Sequence, residues 1–345
     1  MSQTLSSKRV ILVSGATGRQ GKSFIHALTS SSEGDSFHIL ALTRQSKGQR
    51  AQELTTRYSG RVSVVEGDLD SPGSVRRVFE TQRDANTNIW GVFCVLAFPG
   101  LGVRADGEEK QGKSLADLSL EFGVSHFVFS SVERGGEGSD ETMMDDRLAK
   151  IRIEKHVQDL GTKGLKWTII RPGFFMENYE GLLGSITFGV LKAGLKPTTT
   201  VQLIAADDIG YIAAAVFKDP STFESEVLVA AGDISTVSQQ EEAHKKATGR
   251  PMSSIPSFLA RTLISLNKET KGLIADMERV HTARSSETTD GEYWRQLEAA
   301  KRAYPGMRSF QEWCQPAPGA KQEKLSTREG GWNGVALGKL LRGKQ

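Results

Sequence analysis

The chain predicts an α/β fold: a Rossmann-type, doubly wound parallel sheet with a smaller α/β cap formed mainly by the C-terminal half. Three observations predict it. Short apolar runs alternate with helix-length segments up to Pro172, the first run breaks into a glycine-spaced turn, and the rhythm changes after Pro172. Strands alternating with helices require right-handed crossovers, which place helices on both faces of a parallel sheet.

Each element follows in order. Residues 10–13 are the first strand, and Gly15, Gly18 and Gly21 the turn after it. Residues 23–28 open a helix. Further strands are read at 37–42, 62–65, 92–96, 126–129 and 167–170, several of them continuously apolar, as strands covered on both faces are. Helices are read at 108–122 and 147–160 between them. Residues 174–205 read as loop, rich in Gly, Phe and Thr. A helix opened by acids follows at 207–217, then a late strand at 226–229, and helices through much of 237–303. The implied division is a dinucleotide-binding domain at 8–173 and a cap or substrate region at 174–316 with an interleaved return to the sheet. Residues 317–345 are a basic tail whose Pro, Gly, Lys and Gln content predicts disorder.

Composition narrows the class. The 345 residues are 38% hydrophobic and 25% charged, as in ordinary globular proteins. No apolar run approaches the roughly 20 residues that span a bilayer, and the start lacks an apolar signal segment. Two cysteines, Cys94 and Cys314, make neither a disulfide framework nor a metal set, and the six histidines show no ligand spacing. No metal and no membrane are expected, and a reducing cytoplasm suits the chain. The net charge of +3 is a property of the tail, where six Lys and Arg stand against two Glu. The rest nets −1 and gives no electrostatic case for nucleic acid.

The glycine turn has a chemical reading. Strand, glycine turn and helix in that order suit a dinucleotide pyrophosphate, which needs a tight turn, close backbone approach and free N–H groups at a helix start. The spacing is G-x-x-G-x-x-G rather than the commoner G-x-G-x-x-G. The end of the second strand selects the nucleotide. An acid there binds a ribose 2′-hydroxyl and repels a 2′-phosphate, but the sequence is Leu42-Thr43-Arg44-Gln45, with Lys47 and Arg50 close by. Arg44 therefore reads as a 2′-phosphate ligand, and the cofactor as NADP(H). Asp35 precedes that strand and is badly placed to be the ribose acid.

Several further segments resemble the NmrA-like proteins, which are atypical short-chain dehydrogenases. They are VSGATGRQG at 13–21, ALTR at 41–44, EGDLD at 66–70, KQGKSLADL at 110–118, FVFSS at 127–131, RPGFFMEN at 171–178 and ADDIG at 206–210. The resemblance covers about residues 8–315 in unbroken order. It implies that Gly15, Ala16, Thr17, Gly18, Arg19, Gln20 and Gly21 line the pyrophosphate, and that Asp68 and Leu69 lie where the family holds adenine. Asp68 also fits a plain turn. Leu96, Ala97 and Phe98 are implied beside the nicotinamide ribose, although relatives often carry a polar residue near position 97. Lys110 matches a family lysine and equally fits a solvated helix position. Phe175, Met176, Glu177 and Asn178 resemble the segment folding over the nicotinamide end, with Asn178 the candidate for a specific hydrogen bond.

Typical short-chain dehydrogenases carry a Tyr four residues before a Lys, one helical turn apart and on one face. The matching lysine is Lys150, but Asp146 stands in the tyrosine position and the segment has no tyrosine. Three readings stay open. Lys150 is itself the proton partner, as the resemblance to benzylic-ether and isoflavone reductases implies. Alternatively Tyr179 or His156 supplies the proton, or Lys150 only holds the ribose. Ser130 and Ser131 match the usual catalytic serine and equally fit structural strand-end serines. Glu133, Arg134, Gly135 and Gly136 read as a mobile loop at the site mouth, and Asp207 and Asp208 as a helix cap. The expected activity is reduction of a small, largely apolar carbonyl or enone-type substrate beneath a cap rich in Phe174, Phe175, Met176, Tyr179 and Phe188. The alternative is a non-catalytic NADP-sensing regulator that binds a protein partner.

Overall fold

The computed structural model describes residues 8–97, 106–137, 143, 145–285 and 287–316. The first half alternates as the apolar runs require: β1 (Arg9–Val13), α1 (Arg19–Thr29), β2 (Phe37–Thr43), α2 (Gln49–Arg57), β3 (Val62–Glu66), α3 (Pro72–Asp84) and β4 (Ile89–Cys94). There follow α4 (Asp106–Glu121), β5 (His126–Ser130), α5 (Asp145–Gly161) and β6 (Trp167–Pro172). The second half holds β7 (Phe174–Phe175), α6 (Gly181–Gly194), β8 (Thr200–Ile204), α7 (Ala206–Lys218), α8 (Pro220–Phe223), β9 (Glu226–Ala230) and β10 (Asp233–Thr236). It ends with α9 (Val237–Thr248), α10 (Ser257–Leu266), α11 (Lys268–Arg284), α12 (Glu287–Ala303) and α13 (Phe310–Cys314).

Seven strands form one sheet in the order β3-β2-β1-β4-β5-β6-β9, every neighbouring pair parallel. The order reverses at β1, which pairs with β2 on one side and β4 on the other. Open α/β sheets bind ligands at the carboxyl ends of such a switch point. Both faces are covered. Phe24, Phe93 and Phe217 pack on the α1/α7 face, and Phe79, Phe127, Phe129 and Trp167 on the α3/α4/α5 face. The late strand β9 returns to this sheet beside β6, and α7 packs on α1. The chain beyond Pro172 is thus shared between sheet and cap. A second sheet, β10-β8-β7, carries the cap core of Met176, Phe188, Leu191, Leu203 and Phe310.

The structure differs from the expected loop at 174–205, where it contains β7, α6 and β8. Four glycines in α6 weaken its helical signal, yet three of them, Gly184, Gly189 and Gly194, serve packing. A Cβ at Gly189 would stand 2.6 Å from Cγ1 of Ile255, beside the contact that α6 makes with α10. Tertiary packing outweighs the propensity here. The tail at 317–345 lies outside the described residues.

Candidate functional site

The glycine turn is tight, and Gly15 and Gly21 leave no room for a side chain. Gly15 has φ +62°, and a Cβ there would meet the Val95 carbonyl at 2.9 Å. Gly18 donates its N–H to the Gly15 carbonyl at 2.9 Å, closing the turn. A Cβ at Gly21 would fall 2.4 Å from that carbonyl and 2.6 Å from Cα of Ala16. Gly21 sits in the first turn of α1, where alanine is intrinsically better by about 0.5–1 kcal/mol, but overpacking against fixed backbone costs about 1–3 kcal/mol. We expect Gly21→Ala to lower the urea midpoint. Gly291→Ala, where no atom lies within 4 Å of the added Cβ, is expected to raise it.

Around the turn, Ala16 is fully buried, Thr17 is half-buried and Gly18 is exposed. Ser14 clamps β1 to the end of β4, donating to the Val95 carbonyl at 3.0 Å and accepting the Val95 N–H at 2.9 Å. Gln20 accepts from the Ser130 hydroxyl at 2.7 Å, tying the turn to β5. Arg19 is ion-paired with Glu180 at 2.5 Å and lies 3.9 Å from Glu177. Its charge is thus matched by the cap.

Arg44 is exposed at the end of β2 and makes no hydrogen bond or ion pair among the described residues. The acid at the end of β3, Glu66, accepts from the Ser46 hydroxyl, which with Ser46 backbone holds its carboxyl below the usual range. Asp35 pairs with Arg61 on the far side of the strand start. Arg44 is thus an unpaired guanidinium among the described residues, while Glu66 stands across from Thr43 in register and is held by Ser46. Asp68 shapes a turn, its carboxylate accepting the Asp70 N–H at 3.1 Å and its backbone N–H donating to Ser74 at 2.8 Å. Leu69 packs against the α3-side core, Leu96 is buried and Ala97 exposed at the end of β4. Phe98 lies outside the described residues. Lys110 is exposed on α4.

Lys150 lies on α5 and donates from Nζ to Oε1 of Glu108 on α4 at 2.5 Å. The Glu108 side chain is 2% exposed and that of Lys150 is 14% exposed. Nζ also stands 5.8 Å over the Phe129 ring. Cys94, at the end of β4, is buried; burial pushes its thiol up to about 12, with Lys150 opposing. Sequence reading missed Glu108, although a signal was present. Glu108, Gly112, Leu115 and Ser119 share one buried face of α4, spaced as residues on one side of a helix are.

Other candidate proton donors are engaged. The Ser131 hydroxyl donates to Glu154, and the Tyr179 phenol to Gln240 at 2.6 Å within the cap core, where burial raises its pKa. His156 is 2.7 Å from Asp117 between α5 and α4, toward solvent. The loop expected to be mobile is instead a buried ionic node. Arg134 and Arg171 are each 1% exposed and both pair with Glu154, at 2.6 and 2.7 Å. The N–H of Gly135 donates to Glu133 at 2.6 Å, and Arg279 of α11 donates to the Arg134 carbonyl at 3.4 Å.

The segment after β6 divides. Phe175 and Asn178 are half-buried, Phe175 against the α1/α7-side core, whereas Met176 is fully buried in the cap core. Glu177 accepts the Ala206 N–H at 3.1 Å, so it caps α7, and burial raises its carboxyl. Asp207 and Asp208 lie in the first turn of α7 as expected, but Asp208 makes no cap bond: it is held by Arg308, accepting its backbone N–H at 2.8 Å and Nε at 3.1 Å. Of the cap residues expected to line a substrate pocket, Phe174, Met176, Tyr179 and Phe188 all pack in the cap core. Among the described residues no group of His, Cys, Asp or Glu is arranged to hold a metal ion, and no helix is long and apolar enough to cross a membrane.

A parallel sheet in this order, with a glycine turn at its switch point and a cap beyond the carboxyl ends, defines the Rossmann-type class. The chain belongs to the NmrA-like family, whose model matches residues 7–314. It is 26% identical over 252 residues to an NmrA-like family domain-containing protein of Dictyostelium discoideum, covering 70% of this chain and 78% of that one. It is also 26% identical over 269 residues to the NmrA-like family domain-containing oxidoreductase ptmS of Penicillium ochrochloron, covering 72% and 75%. Among solved structures it resembles the NADPH-dependent quinone oxidoreductase QOR2 of Escherichia coli, crystallised with NADPH. The TM-score is 0.62 at 17% identity, over 88% of this chain and 98% of that one, a likeness of fold.

Proposed function

We propose that this protein is an NADP(H)-dependent oxidoreductase that reduces a small, largely apolar carbonyl or enone-type substrate. The observation that supports it most is Arg44, an unpaired guanidinium at the strand end that selects between the two nicotinamide dinucleotides. The name of the Penicillium relative and the NADPH of the Escherichia coli enzyme support the same reading.

In this reading the N–H groups at the start of α1 and the turn from Gly15 to Gln20 hold the pyrophosphate, and Arg44 pairs with the 2′-phosphate. Asp68 and Leu69 border the adenine, Leu96 and Ala97 the far ribose, and Phe175 and Asn178 the nicotinamide end. When bound, the nicotinamide supplies a hydride. Lys150 holds the neighbouring ribose and donates a proton to the carbonyl oxygen.

The test is binding. Arg44→Ala is expected to weaken NADPH by about 10- to 100-fold, the loss of a charge-assisted pair, and to leave NADH nearly unchanged in a calorimetric titration. Equal affinity of wild type and variant for both nucleotides sinks the cofactor assignment. A screen of NADPH oxidation against carbonyls and enones then finds the substrate. Asp146 in the tyrosine position favours one other reading, an NADP-sensing regulator with a protein partner. Tight NADP binding with no turnover across the panel selects it.

A further inference from the structure

Glu108 has an unfinished hydrogen-bond inventory. Its Oε1 accepts from Lys150, but its Oε2 is buried with no donor among the described residues. An ionised carboxylate has acceptor capacity on both oxygens, and a buried acceptor left unmatched is costly. The same pair leaves two of the three Lys150 protons undirected by any hydrogen bond among the described residues. We propose that Glu108 is a binding residue for the nicotinamide-side ribose, acting with Lys150 as an acceptor–donor pair for its vicinal hydroxyls. The inference rests on the NADP(H) reading above and adds a residue to it.

The chemistry selects the ligand class. Oε2 can only accept, so it recognises a hydroxyl and not a phosphate or a carbonyl; Lys150 can only donate. A vicinal diol offers both roles within one small group. The pair is close to neutral as a unit, so it gives no charge preference for phosphate. Its neighbours, Cys94 at the end of β4 and Phe129 in β5, belong to strands beside the switch point, where the ribose of a dinucleotide is carried. A purely structural role as a bridge between α4 and α5 would explain Oε1 and leave Oε2 without purpose.

The experiment compares two ligands on the full chain by calorimetry. One is NADP, and the other is adenosine 2′,5′-bisphosphate, the adenosine half that lacks the nicotinamide ribose. Glu108→Leu is expected to weaken NADP by about tenfold, the loss of one charge-assisted hydrogen bond, and to leave the bisphosphate unchanged. Glu108→Gln keeps the shape and is expected to weaken NADP by about threefold, which decides the matter if the leucine variant does not fold. Unchanged NADP affinity in the folded variants overturns the proposal and leaves the cofactor reading standing. Parallel loss of both ligands overturns it as well, because a structural bridge explains that result. Failure of the wild type to bind either ligand overturns the NADP(H) reading itself, and this inference with it.

Discussion

Glu154→Ala is expected to cost about 3–5 kcal/mol of folding stability, the range for removing one partner of a buried ionic cluster. Glu154 is 0% exposed on α5 and accepts from Arg134 at 2.6 Å, from Arg171 at 2.7 and 3.2 Å, and from the Ser131 hydroxyl. It ties α5 to β6 and to the loop after β5. Without it two nearly inaccessible guanidinium groups lose their shared carboxylate. Glu137 compensates only in part, because it lies 3.0 Å from Arg171 but 3.7 Å from Arg134 and is about half exposed. Glu133 is a poor substitute, since burial raises its carboxyl against the pull of Arg171 and its own bond goes to Gly135. Urea unfolding at neutral pH should show the full loss in midpoint with an unchanged slope.

The same cluster fixes a pH dependence. Burial alone would raise the Glu154 carboxyl, but Arg171 and Arg134 outweigh it and hold it below the usual range. A folded-state pKa below the unfolded one gives stability that is present above the unfolded value, about 4.3 for a glutamate, and lost as the pH falls through the folded value. The raised Glu133 acts in the opposite sense and gains as the pH falls. Glu154→Ala should therefore lose less stability than wild type on acidification below about pH 4. An equal or steeper decline would show that other carboxylates govern the acid limb.

What the sequence made legible was what local pattern encodes. Apolar runs covered on both faces betray parallel strands, and the turn from Gly15 to Gly21 is local in the chain. The exposed place of Arg44 was legible because a strand end is a defined place in this fold. The ionic node was not, because its partners lie 17 to 37 residues apart, from Arg134 to Arg171, and each charge taken singly reads as solvated. The cap aromatics misled for a related reason. Phe188 and Tyr179 announce burial, but the sequence does not say whether a core or a pocket buries them, and the structure gives them to the core. Glu108 sits in Asp-Gly-Glu-Glu-Lys at a helix start, a run that resembles a solvated first turn. Only its phase with Gly112 and Leu115 marks it as inward.

Lys150→Met is expected to lower reductive turnover by about 10²- to 10⁴-fold, the usual contribution of a positioned proton donor. Helix α5 has no tyrosine, the hydroxyls of Ser130 and Ser131 donate to Gln20 and Glu154, and the Tyr179 phenol donates to Gln240. His156 faces Asp117. Lys150 is left as a partly accessible ammonium on the helix that faces β5 at the switch-point side. A second variant separates the two roles proposed for it. Lys150→Arg keeps a cation and donors for the ribose, but a guanidinium does not give up a proton in proteins. NADPH affinity should therefore stay close to wild type in Lys150→Arg, fall in Lys150→Met, and turnover should be low in both. If arginine restores turnover, the lysine acts by charge alone and the proton comes from water. If methionine leaves turnover of the substrate found in the carbonyl screen intact, Lys150 takes no part in the chemistry.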